Sequence, residues 1–302
     1  MGQLKGLGGW HGFVTRYCAA YKDRWGWNVS GATNLEELNA ELKKRCYIRR
    51  TKADVLPDLP PKTWAEVPLN DHPKAPLAEY RRAEADVVEF LGRRAAEIAK
   101  ALGKDPRSAA VIAKLRAESA EHLVAITTLR RLAVKVKMEA VKAWVTDFLE
   151  GSDKKLVVFA HHREAVAELA EAFQAPTISG GDTDRDAVVD RFQTDPECRV
   201  LVASIRAAGV ALTLTAASDV LFVEQDWTPA GMDQAADRTH RIGQDNPVTA
   251  WVTLATGTVD EMMAGMLASK RLIVNAVVDG VQPTEEMTSV LGDLVVALSQ
   301  RG

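Results

Sequence analysis

Three cysteines in 302 residues, Cys18, Cys46 and Cys198, are too scattered and odd in number for a disulfide framework, and none stands in CxxC spacing for zinc. They predict reduced thiols in an intracellular chain. No apolar run approaches the roughly 18 residues that span a bilayer, and the opening MGQLKGLGGW lacks the apolar core of a signal peptide. Both absences predict a soluble protein with no membrane partner. An excess of charge is missing too: the formal net charge is −3, so any polyanion must be recognised by local patches rather than by the sum. Two absences bear on chemistry. There is no GxxxxGK[ST] stretch and no Asp-Glu-x-His beside a strand-like run. Without a P-loop lysine, its backbone cradle and magnesium carboxylates, these residues do not by themselves hold and activate a nucleoside triphosphate.

What is present divides by texture. The first thirty residues, rich in glycine and aromatics, show no clean period and read as an irregular cap. Asn34 reads as the N-cap of a helix from Leu35, with Glu37 completing a capping box. A basic cluster follows (Lys43, Lys44, Arg45, Arg49, Arg50 and Lys52), then an extended connector set by Pro57, Pro60 and Pro61. The cluster is either a solvated face or a surface for polyanions. From 76 to about 150 the chain reads as helical, with breaks at 103–106 and 135–137 and a basic end formed by Arg130, Arg131, Lys135, Lys137 and Lys142. After Gly151, apolar runs at 156–160, 176–179, 200–204, 220–224 and 249–254 alternate with helical stretches at 163–174, 183–193, 229–242 and 259–278. That alternation predicts βαβ units and a parallel α/β sheet, with a last helix over 285–299.

One stretch carries concentrated chemistry. In QAADRTHRIGQ, residues 234–244, a helix would stack Gln234, Arg238 and Arg241 at i, i+4 and i+7 on one face. A forked, permanently charged guanidinium suits the spreading charge of a phosphoryl group in transfer. The alternative is an exposed helix with an Asp237 to Arg241 surface pair. Elsewhere, His161 and His162 are adjacent, a spacing that seldom serves one metal ion, and no metal site is expected. Ser179, Gly180 and Gly181 open a helix and offer backbone N–H groups to a phosphate, although glycine pairs mark turns everywhere.

QAADRTHRIGQDNPVTAWVTLATGTVDEMM resembles the last helicase motif of Swi/Snf-type ATP-dependent DNA translocases, a family within helicase superfamily two. The resemblance implies that Arg238 and Arg241 are catalytic, ATP-contacting arginine fingers and that Gln234 orients them. CYIRRTKADVLPDLPPK is similar to the segment that crosses between that family's two lobes, and SGATNLEELNAEL to the end of its first lobe. KLVVFAHHREAV resembles the fourth motif in a form seen in the fork-remodelling, strand-annealing branch. SIRAAGVALTLTAAS resembles the fifth, with Ala208 and Ala211 where glycine is common. Glu224-Gln225-Asp226-Trp227 resembles the segment coupling the DNA site to the arginines; alternatively, Asp226 only caps the following helix.

The implied organisation is a first-lobe remnant and connector over 1–70, a helical insertion over 71–150, a RecA-like C-terminal lobe over 151–283 and a final helix over 284–302. Implied DNA contacts are His161, Ser179, Gly180, Ser204, Arg206, Gly209 and Thr213, with Arg49, Arg50 and Lys52 from the basic cluster. On this reading ATP and Mg²⁺ are shared with a Walker-containing first lobe on another chain, DNA is bound through its phosphates, and the chain is inactive alone. A second reading is a non-catalytic DNA-binding or decoy module.

Overall fold

The computed structural model describes residues 3–18, 20–23, 26–29, 33–45, 50, 52–118, 122–182, 184–207, 212–279 and 290–301. A 3-10 turn at Gln3–Leu7 leads to helix α1 (Gly9–Tyr17), the small hairpin β1 (Tyr21–Asp23) and β2 (Gly26–Asn28), helix α2 (Leu35–Arg45) and the single turn α3 (Lys52–Val55). The capping box at the start of α2 does not form. Asn34 takes a left-handed φ of 50° and its amide donates to Arg16 O at 2.8 Å, while Glu37 accepts from Arg16 and Tyr17. Both side chains serve α1 instead.

Strand β3 (Lys62–Leu69) then enters the main sheet. Three helices follow: α4 (Lys74–Leu102), α5 (Ala109–Ala117) and α6 (Leu123–Gly151). The βαβ region supplies β4 (Lys155–Ala160), α7 (Arg163–Phe173), β5 (Thr177–Ile178), α8 (Arg185–Thr194), β6 (Val200–Ser204), β7 (Ala217–Phe222), α9 (Pro229–Ala236), β8 (Val248–Ala255) and α10 (Val259–Asp279), before α11 (Val290–Ser299). The six strands are all parallel in the order β3-β8-β7-β4-β6-β5, a RecA-like sheet with helices on both faces. Side chains along β4 alternate between two cores. Leu156, Val158 and Ala160 face one and Val157 and Phe159 the other, which is why the run is apolar without a break.

Two expectations change here. The connector assigned to residues up to 70 ends in β3, an edge strand of this sheet; Pro68 is tolerated there because an edge strand needs no ladder bond on its outer side. The break expected at 135–137 is absent, and α6 runs through it. Lys137 is fully buried, donating to Thr253 O at 2.8 Å and pairing with Asp260. Arg130 is buried as well, and Arg131, Lys135 and Lys142 pair with Glu164, Glu79 and Glu168. Of the basic end of the insertion, Arg130 and Lys137 are turned into the fold, while Arg131 and Lys135 stay exposed beside carboxylates. Helix α11 covers α4 and α5, with Asp293 held by Lys270 at 2.8 Å and Arg116 at 3.2 Å.

Candidate functional site

Helix α9 starts on Pro229, with the Thr228 hydroxyl accepting from Gly231 N, and stops at Ala236. The helix expected to reach residue 242 is thus six residues shorter, and Arg238 and Arg241 lie in the turns that follow it. What stops it is competition for its backbone. Arg238 O accepts from Leu214 N at 2.9 Å, and Arg238 N and Thr239 N fall back in tight turns on Ala235 O and Ala236 O. Gln244 locks the far side: its amide donates to Thr215 O, Ala217 O and Thr239 O, and its carbonyl accepts from Asn246 N. Gln234 is exposed on α9, which ends before Arg238 and Arg241, so no single helix carries the three residues as the spacing suggested.

Within this turn Arg238 is buried and Arg241 half-buried, and the Arg241 guanidinium donates to Thr213 Oγ1 at 3.4 Å. Burial, then the charge of neighbouring Arg241, pushes the Arg238 guanidinium below its ordinary range, so the two cations feel each other. Asp237 does not form the surface pair with Arg241. It accepts from Lys62 at 2.6 Å and from Lys52 at 2.9 Å. Burial pushes its carboxyl up, but these two lysines outweigh it and hold the carboxyl below the usual range. Two clustered guanidiniums beside a hydroxyl form a donor set for phosphate oxygens. Among the described residues, no three His, Cys, Asp or Glu side chains converge as a metal ligand set.

The remaining candidates sort by the end of the sheet they occupy. His161 follows β4, Ser179 and Gly180 follow β5, and Ser204 and Arg206 end or follow β6; the register of these three strands brings all five to one carboxyl edge. Arg206 is exposed there. The Ser179 amide already donates to Asp182 at 2.5 Å, and α8 starts only at Arg185, so the glycine turn does not open that helix as expected. Thr213 and Lys52 belong to the opposite end, with the arginines: Gln244 ties that turn to the start of β7, and Val248 N at the start of β8 donates to Pro61 O. Arg50 is exposed, whereas Arg49, Gly209, Ala208 and Ala211 lie outside the described residues.

Glu224, just past β7, is a residue whose role no spacing revealed. Its carboxylate accepts from the backbone of His161 and His162 at 2.8 Å each and from His162 Nδ1, which fixes the loop after β4. Burial pushes that carboxyl up, yet the bonds from His162 and the two amides win and hold it at about 2. His161 is pushed below its ordinary value by burial and by Arg130. Arg130 stacks over Trp227 at 4.3 Å and donates to Gln225 O. Asp226 accepts from Trp227 N at 2.8 Å, and the N-cap of α9 is Thr228 rather than Asp226.

The model of the helicase conserved C-terminal domain matches residues 136–243, from within α6 to the arginine turn. The DNA annealing helicase and endonuclease ZRANB3 of Bos taurus is 35% identical over 285 residues, covering 91% of this chain and 24% of that protein. The SWI/SNF-related matrix-associated actin-dependent regulator of chromatin subfamily A-like protein 1 of Drosophila melanogaster is 32% identical over 272 residues, covering 88% of this chain and 33% of that protein. The chain thus spans about a quarter to a third of the length of these curated relatives. The C-terminal part of the Fun30 ATPase domain superposes with a TM-score of 0.54 at 16% identity, covering 81% of this chain and 100% of that one. The SWI2/SNF2 ATPase core of Sulfolobus solfataricus in complex with dsDNA superposes with a TM-score of 0.53 at 23% identity, covering 91% and 57%.

Proposed function

Because this chain belongs to the Swi/Snf-type ATPases of helicase superfamily two, as their C-terminal RecA-like lobe, we propose that it presents Arg241 and Arg238 to a nucleotide held by a Walker-containing first lobe. When bound there, ATP supplies the phosphoanhydride whose hydrolysis drives movement along DNA. Arg241, half-buried beside Thr213, meets the charge that spreads over the transferred phosphoryl group. Arg238, buried next to it, adds a second fixed charge. Mg²⁺ belongs with the first lobe's carboxylates on this reading. The carboxyl edge, with Arg206, Ser204 and the His161 loop, takes DNA through its phosphates; the relative named for DNA annealing and the Sulfolobus core bound to dsDNA support DNA as the partner.

The observation that carries the reading is the arginine pair, stitched by Gln244 and Leu214 to the start of β7 and joined to Thr213. Its test is Arg241→Lys in this chain reconstituted with a first lobe. Lysine keeps the charge and loses the planar fork, so kcat should fall by about 30-fold or more, a loss of about 2 kcal/mol in transition-state stabilisation. Normal turnover would remove Arg241 from the chemistry.

A further inference from the structure

We propose that Lys52, Lys62 and His240 are positioning residues through which the proline-rich connector and the first residue of β3 set the two arginines, making turnover depend on where that segment lies. The inference rests on the reading above, in which Arg241 and Arg238 act on nucleotide phosphate.

The arginine turn has no regular structure of its own, so its place is set by what it is tied to. On one side it is tied to the lobe's sheet. On the other it is tied to residues some 180 positions earlier in the chain. Lys52 Nζ meets three acceptors, His240 O at 2.7 Å, Asp237 Oδ1 at 2.9 Å and His240 Nδ1 at 3.4 Å, which matches the three protons of an ammonium. His240 Nε2 lies 2.7 Å from Pro60 O. A carbonyl only accepts, so the ring proton sits on Nε2 and leaves the Nδ1 lone pair for Lys52. Lys62 completes the strap on Asp237 Oδ1 at 2.6 Å.

Each tie lies one peptide bond from an arginine: Asp237 precedes Arg238, and His240 precedes Arg241. Position matters steeply here, since misplacing a catalytic group by about 1 Å can cost about 100-fold. A guanidinium at 52 would not replace the ammonium, because a planar fork does not converge on three acceptors at one point.

The test uses this chain in complex with a Walker-containing first lobe, measuring kcat, KM for ATP, DNA affinity and Tm. In Lys52→Met and Lys62→Met, kcat should fall by about tenfold or more with KM and DNA affinity unchanged. Lys52→Arg should fail to restore it. Lys62→Met combined with Asp237→Asn should be no worse than either change alone, because the ties act as one unit. Lys62→Gln, which keeps a neutral donor, is the milder companion should Lys62→Met not fold, and a partial loss of kcat is expected from it. Unchanged kcat, full rescue by Lys52→Arg, or a loss that disappears on assay well below Tm would overturn the strap. Arg241→Lys measured in parallel separates the two ideas. If it turns over normally, the functional reading fails; if it is inactive while the strap variants are normal, only the strap fails.

Discussion

At His240 the hydrogen-bond partners dictate a protonation state, and with it a pH dependence. Burial, the largest cause, and the nearby Lys52 and Lys62 push the imidazole below 6.5 despite its bond to Pro60 O. The unfolded chain therefore binds this proton at a higher pH than the folded one. The neutral ring's contribution to stability is fully present above the ordinary 6.5 and is lost as pH falls towards the depressed folded value. His161 is shifted in the same direction and adds to the slope. Urea unfolding followed from pH 7.5 to 5 should show falling stability in the parent and a shallower fall in His240→Gln; equal slopes would deny the neutral assignment. Gly231 offers a second check at this scale. A Cβ there would sit 1.8 Å from Asp226 Oδ2, and the overpacking cost of about 1 to 3 kcal/mol exceeds the roughly 1 kcal/mol that alanine gains in helix propensity. Gly231→Ala should thus lower Tm in the parent and raise it in an Asp226→Ala background.

Among the elements, α6 shows what pattern conveys and what it conceals. Its apolar period announced a helix, but no pattern said that Lys137 and Arg130 are buried, because their partners Asp260 and Gln225 come from 123 and 95 residues away. Lys137→Met leaves Asp260 as an uncompensated buried charge and should cost about 3 to 5 kcal/mol in chemical denaturation. Adding Asp260→Leu should recover much of that, whereas strict additivity would mean the pair is not coupled. The strands β4, β6, β7 and β8 were legible because burial on both faces demands unbroken apolar runs. β3 was not, since an edge strand carrying Pro68 reads as connector. The arginines were legible as residues through their motif. The turn holding them was not, because Leu214 and Gln244 capture backbone groups that the 3.6-residue period assigns to a helix.

Taken as a whole molecule, the lobe keeps its two candidate surfaces at opposite ends of the sheet. β7 alone, six residues long, separates them by roughly 20 Å. These 302 residues alone should show no DNA-stimulated ATP hydrolysis, since the sequence holds no P-loop cradle, and their DNA binding should be weak and steeply salt-dependent. Purified chain that hydrolyses ATP would contradict this. The separation of the ends makes the most direct measurement a crossed one, on the complex with a Walker-containing first lobe. ATP turnover at saturating DNA and DNA affinity across a salt series are measured for Arg241→Lys and for Arg206→Gln. Arg241→Lys should lose turnover by about 30-fold or more with an unchanged salt slope. Arg206→Gln should weaken DNA binding and reduce the salt slope by about one while leaving saturated turnover near the parent. Arg241→Lys that hydrolyses ATP normally, or that loses DNA affinity in step with turnover, would contradict the account.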